Sequence, residues 1–180
     1  MFIAAVLAFA SMRVMLPIAA APAPQIGAIN VTHDGICITN HCFALPCAID
    51  AITNLLGAPT ELLPAHGDRY SNDTYEWGNL GVYAYSRPGS GQIQSLSVVF
   101  TAGTESRRLP NVFSGCVLVR GHCIGGQSLG PALKAAGFAR NRSTGWWKQR
   151  LGPSSLIAAI SATGDHLPEL EIDAGTESAP

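Results

Sequence analysis

Asp34-Gly35-Ile36-Cys37-Ile38-Thr39-Asn40-His41-Cys42-Phe43, and later Ser114-Gly115-Cys116-Val117-Leu118-Val119-Arg120-Gly121-His122-Cys123-Ile124, each set two short apolar runs around a turn dipeptide. In both stretches the second run begins His-Cys and continues with a large apolar residue. Gly accepts positive φ without a Cβ clash and Asn tolerates it, so each stretch reads as a short antiparallel hairpin. Beyond each hairpin the apolar period changes from that of a strand to that of a helix. Ala48, Ile49, Ile52, Leu55 and Leu56 fall on one helical face, with Pro46 suited to the first turn and Gly57 to the C-cap; Leu129, Leu133 and Ala136 do the same before Gly137. Alternation then returns. Tyr75, Trp77 and residues 81–85 precede the turn Pro88-Gly89-Ser90-Gly91, after which Leu96, Val98 and Phe100 share a strand face. Trp146-Trp147 to Leu151 precede Gly152-Pro153, after which Leu156, Ala158 and Ile160 share another.

The expected fold class is α+β, with two tandem hairpin-helix-hairpin repeats whose antiparallel sheets are packed by one helix each. The first repeat spans residues 27–103 and the second 110–163, the latter shorter because it lacks the polar loop of residues 65–74. With 180 residues, 47 % apolar and 13 % charged, the chain holds a modest globular core, which excludes a large multidomain enzyme and a disordered scaffold. Phe2 to Ala23 is almost wholly apolar or small and runs into Ile18-Ala19-Ala20-Ala21-Pro22, which reads as a signal peptide over residues 1–20. That expectation places the mature protein in the periplasm or outside the cell, with no stable membrane span after cleavage. Residues 164–180 carry Asp165, Glu169, Glu171, Asp173 and Glu177 among Pro and Gly, and read as a disordered acidic tail.

The stretch Tyr75-Glu76-Trp77-Gly78-Asn79-Leu80-Gly81-Val82-Tyr83-Ala84-Tyr85, following Leu55-Leu56-Gly57-Ala58-Pro59, resembles an uncharacterised bacterial domain family over residues 29–124. In that family a helix ending Leu-Gly-x-Pro is followed by a strand bearing Trp, usually then Asp, and Leu-Gly-Ile/Val. Here Gly78 stands where the acidic residue falls. The resemblance implies an exported or toxin-associated bacterial protein and names no reaction. The tandem arrangement is also similar to bacterial inhibitor proteins built from two α+β repeats, an analogy of fold alone.

Charge is unevenly distributed. Residues 24–103 hold Arg69 and Arg87 against six carboxylates, whereas residues 104–163 hold eight Lys and Arg against Glu105 alone. Arg140, Arg142, Lys148 and Arg150, interleaved with Trp146 and Trp147, form the candidate binding face, because Trp and Arg are enriched at interface hot spots. Adjacent strand residues point oppositely, so one of the two Trp is expected in the core. The competing expectation is that the basic segment docks against the acidic segment or tail. With near-neutral total charge and no recognisable motif, nucleic acid is not an expected partner.

Five Cys in an exported chain imply disulfides, with at least one thiol left over. A two-residue Thr39-Asn40 turn puts Ile38 opposite His41 and Cys37 opposite Cys42, where a bridge can form. Cys116 lies two residues further from its turn than a matching Cys116–Cys123 bridge needs, so that pair requires a longer loop or a bulge. Cys47, near a helix start, is the candidate free thiol. His41, Cys42, His122 and Cys123 invite a metal reading, but His and Cys of one dipeptide leave opposite faces of a strand, so no metal is expected. No other cofactor is implied. Neither a Gly-x-Ser-x-Gly elbow, a His-Glu-x-x-His helix, a phosphate loop nor a dinucleotide fingerprint occurs, so no catalytic residue is assigned and no enzyme is expected. The expected function is an exported protein-binding module, an immunity protein or inhibitor whose partner is a toxin or enzyme. The alternatives are an envelope-associated ligand-binding or structural module, and a small thiol or hydrolytic enzyme.

Overall fold

A computed structural model describes residues 26–65, 71–101, 109–152, 154–159 and 166–174. In chain order the elements are β1 (Ala28–Val31), β2 (Ile36–Ile38), β3 (His41–Phe43), β4 (Cys47–Ala48), α1 (Ile49–Leu56), β5 (Glu61–Leu63), β6 (Asp73–Trp77), β7 (Val82–Ser86) and β8 (Gln92–Val99). There follow β9 (Cys116–Val119), β10 (His122–Ile124), α2 (Gly130–Ala135), β11 (Ala139–Arg140), β12 (Trp147–Leu151), β13 (Ser154–Ala159) and β14 (Glu169–Ala174). The hairpins fall where alternation places them. Cys37 faces Cys42 and Ile38 faces His41 across the Thr39-Asn40 turn. His122 faces Val119 across Arg120-Gly121, where both φ values are positive.

The α+β expectation is overturned: the chain folds as two β-sheets that share strands from both segments. The first sheet has the order β10-β9-β1-β2-β3, so the two hairpins are pooled with β1 between them, antiparallel to β2 and parallel to β9. The second has the order β11-β12-β13-β14-β8-β7-β6-β5, with β4 pairing the start of β8. The reason lies in helix size. α1 has eight residues and buries Ile52 and Leu56; α2 has six and buries Leu133. So little helical surface cannot cover a four-stranded sheet. Instead the inward residues of both sheets, including Ile29, Ile36, Val117, Val119, Leu96, Val98, Leu156, Leu170 and Ile172, join those of both helices in one buried cluster.

The acidic-tail expectation is overturned as well for the part described. Glu169–Ala174 form a strand paired along its length with β13 on one side and β8 on the other. Leu170 and Ile172 are fully buried, and that apolar area outweighs the charge of the alternate residues. Two hydrogen bonds lead the chain in: Leu167 N donates to Gly126 O at 2.7 Å, and Phe100 N to Pro168 O at 2.8 Å. The expected signal peptide of residues 1–20 lies outside the described residues. Pro46 differs from its expected place: it follows a cis bond to Leu45 and precedes β4, and α1 begins at Ile49.

The two halves of the Leu-Gly-x-Pro and Trp motif meet in space. Trp77 is fully buried, and its Nε1 donates to Gly57 O at 2.8 Å, tying the C-terminus of α1 to β6. Next to it, residues 109–113 pass across the end of the second sheet, with Asn111 N donating to Gly78 O at 3.1 Å and Phe113 N to Val99 O at 2.7 Å. A Cβ on Gly78 would lie 2.8 Å from Pro110 Cδ, and one on Gly81, whose φ is +69°, would overlap Phe113 N. Gly78 therefore occupies a close approach of two chain segments. We expect Trp77→Phe to destabilise the protein by about 1–3 kcal/mol, because it leaves the Gly57 carbonyl without its donor. We expect Gly78→Asp to cost about 1–3 kcal/mol through overpacking against Pro110. Urea unfolding midpoints at unchanged m-value check both.

Candidate functional site

The alternate residues of the second sheet turn away from the core and build a polar face. Pairing registers align Lys148, Ile157, Glu171, Ser97, Tyr83, Glu76 and Glu61 in one row across seven strands. A parallel row holds Arg150, Ser155, Asp173, Ser95, Tyr85 and Thr74. Much of this face is nevertheless enclosed. Thr74, Glu76, Tyr83, Ser95 and Ser97 are buried, and Leu109 packs with Tyr83, Val99 and Tyr85. Tyr83 and Tyr85 meet edge to face, with centroids 5.2 Å apart.

Polar groups held this close and this dry shift one another's acidity. Tyr83 Oη donates to Glu169 Oε1. Burial first, and the Glu169 charge second, push the Tyr83 phenol well above its ordinary range, so it stays a donor at every physiological pH. Glu171 is pushed up to about 7, mainly by burial and then by the Asp173 carboxylate, while a hydrogen bond from Ser95 pulls the other way. Asp173 is also raised by burial, although the hydrogen bond from Glu171 and the Lys148 ammonium both lower it. Their mutual hydrogen bond raises Glu171 and lowers Asp173, so the proton of the pair favours Glu171. On the far side of the same sheet Asp73 is held low by backbone amides: Ala65 N and Gly89 N each donate to one of its carboxyl oxygens at 2.8 Å.

The expected binding face is only partly assembled. Lys148 and Arg150 lie on this acidic face, and Lys148 acts electrostatically on Asp173, as the docking alternative anticipates for that residue. Arg140 pairs with Trp147 on the opposite face of the sheet. Trp147 is half-buried against the core and over Gly130, whereas Trp146 is 46 % exposed, so one of the pair is inside. Arg140, Arg142 and Trp146 are each exposed near the turn of the β11–β12 hairpin, with Arg140 and Trp146 on opposite faces of the ribbon. The carboxylates of β14 were missed by sequence reasoning. Their signal was present, since Glu169-Leu170-Glu171-Ile172-Asp173-Ala174 alternates with the period of a strand, but charge and flanking breakers outweighed it.

Cys37 and Cys42 are joined by a disulfide with S–S 2.03 Å, whereas Cys47, Cys116 and Cys123 are free thiols. Burial pushes the half-buried Cys47 thiol up to about 11, against activation at the helix start. His41-Cys42 and His122-Cys123 sit on the two opposite edge strands of the first sheet. Four strand spacings separate them by about 19 Å, so one ion cannot bridge them. Among the described residues no group of three or more His, Cys, Asp or Glu could hold a metal, and no helix is long and apolar enough to cross a membrane.

Fold and faces define a two-sheet β protein with an enclosed carboxyl face and a basic hairpin end. The chain belongs to a family described as a domain of unknown function (DUF7738), whose model matches residues 28–129, from β1 to the residue before α2. It is also similar to the crystal structure of a cysteine-rich secretory protein (SAV1118) from Staphylococcus aureus subsp. aureus Mu50, with 12 % identity and a TM-score of 0.37. That similarity covers 71 % of this chain and 44 % of the other, so this chain spans under half the length of that protein. No curated protein matches.

The raised Glu171 carboxyl links stability to pH. A folded pKa of about 7 lies above the unfolded value of roughly 4.3, so the contribution is present in full below the latter and lost as pH rises through the former. Asp173, also raised, adds to this trend, while Lys148 opposes it. We expect the wild-type urea midpoint to fall between about pH 5 and pH 8, and Glu171→Gln to flatten that fall. An unchanged slope in the variant would remove Glu171 as its source.

Proposed function

We propose that the protein is an exported bacterial protein-binding module, an immunity protein or inhibitor that blocks a toxin or enzyme, and that the β11–β12 hairpin end is its contact surface. The observation that carries this reading is Trp146, 46 % exposed at the end of a hairpin that also exposes Arg140 and Arg142. An indole left in water gains most when a partner covers it, and Trp with Arg is the pairing most enriched where truncation weakens binding strongly. The loop is ordered before any partner arrives. Asn141 Oδ1 accepts from Ser143 N at 2.9 Å, Ser143 Oγ at 2.7 Å and Thr144 N at 3.3 Å, and Arg140 Nε donates to Gly145 O at 3.4 Å. Such preorganisation lowers the entropy lost on association.

Residues 139–152 contain no acidic residue, so the complementary partner surface is acidic, and attraction accelerates the encounter. The Cys37–Cys42 disulfide supports export, because such bonds persist in oxidising compartments. Wild-type protein and the triple variant Arg140→Ala/Arg142→Ala/Trp146→Ala, immobilised in parallel, are to be exposed to the envelope fraction of the producing cell. The retained protein is then purified and titrated. We expect the triple variant to bind it at least about thirtyfold more weakly, corresponding to about 2 kcal/mol. Equal affinity with an intact fold would sink the hairpin surface, and retention of anionic envelope polymer alone would favour an envelope-structural module instead.

A further inference from the structure

The β9–β10 hairpin carries two thiols on one outward face. Val117, Val119 and Ile124 point inward and are fully buried, so their neighbours Cys116, Leu118 and Cys123 point outward. Cys123 lies opposite Leu118, and continuing the register by one step past Ile124 and Val117 sets Cys116 opposite Gly125. The two Cys are therefore diagonal neighbours at the end of an edge strand. The Cys116 and Cys123 thiols are close enough for Cys123 to shift the acidity of Cys116. Cys123 is exposed and Cys116 half-buried.

The same face bears the Cys37–Cys42 bridge, but Cys123, Leu118, Asn30 and Cys37 follow one another across four strands. That separation is about 14 Å, which rules out exchange between the bridge and Cys123 within one molecule. Cys47 belongs to the second sheet. At the β10 edge the nearest thiol to Cys123 in strand register is therefore Cys116.

We propose that Cys116 and Cys123 form a thiol–disulfide exchange site, in which Cys123 attacks a disulfide presented at the β10 edge and Cys116 resolves the mixed disulfide. The Cys123 thiolate bonds to one sulfur of the incoming disulfide and expels the other as a thiolate. Cys116 then loses its proton to solvent, bonds to Cys123 Sγ and expels the second thiolate. Two electrons pass from the protein dithiol to the substrate, which departs as two thiols, leaving a Cys116–Cys123 bridge. The order of attack follows exposure: Cys123 is open to an incoming disulfide. Burial, then the neighbouring Cys123 thiol, pushes Cys116 up to about 11, which suits it to the later, resolving step. Diagonal strand neighbours stand about 7–8 Å apart, beyond the Cα separation of a relaxed disulfide, so the bridge draws in the glycine-flanked end of β10 and remains exchangeable. The site lies on the other sheet from the β11–β12 hairpin and does not depend on the binding reading.

The test uses the full chain and an aromatic disulfide, dithiobis(2-nitrobenzoate), whose released thiol absorbs visible light. We expect the hairpin to release two chromophores per molecule while the protein retains no nitrobenzoate there, with peptide mapping showing residues 116 and 123 cross-linked in a monomer. Cys116→Ser should release one and keep the adduct on Cys123. Adducts retained on both Cys in the wild type, a bridge from Cys123 to Cys47, or a dimer linked through Cys123 would overturn the proposal. Because the wild-type mapping stands alone, it decides even if the variant folds poorly.

Discussion

The pairing of β14 with β8 is the constraint on which the rest of this structure depends. Residues 169–173 align antiparallel with residues 95–99, and β13 completes the other side of β14. Without that strand, β8 and β13 would each present an unpaired edge in the middle of the second sheet, with backbone groups lacking partners beside a fully apolar core. The strand is held by Leu170 and Ile172 on its inner side. Its outer side must then accept Glu169, Glu171 and Asp173 close to Tyr83, Ser95 and Ser97, and the raised pKa values of Tyr83, Glu171 and Asp173 are the consequence. Strand pairing comes first, and the unusual acidity follows from it.

The segment after β8 is shaped by the same demand for closure. Residues 109–113 run back over the end of the sheet, and Leu109 closes the apolar side of Tyr83. Gly78 and Gly81 make room for that passage. In this chain the stretch from Leu55 to Pro59, with Trp77 and Gly81, is a packing device: Trp77 reaches Gly57, while Gly78 and Gly81 accommodate the returning loop. These residues are accounted for by packing, whereas the hairpin ends remain exposed to solvent.

Hairpins, helix positions and strand faces were legible because each depends on neighbours in sequence. The Thr39-Asn40 turn carries the Cys37–Cys42 pairing, and the alternation of Leu96 and Val98 identifies their shared face. The division of Trp146 and Trp147 between solvent and core was legible for the same reason. The carboxyl face was not, since it is assembled from β7, β8 and β14, and its rows run perpendicular to the chain. A patch read as contiguous in sequence was likewise divided, because Arg140 and Lys148 leave opposite faces of the β11–β12 ribbon.

Periodicity and turn chemistry alone determined the two His-Cys hairpins, the two helical segments and the apolar faces of β8 and β13, since both act over a few residues. Only the tertiary structure decided that the segments share two sheets, with β1 between the hairpins and β14 beside β8. Among the described residues, the two helices of eight and six residues offer too little apolar surface to close either sheet, so burial requires the sheets to close on one another. That requirement is a property of summed area across the whole chain, which no local pattern contains.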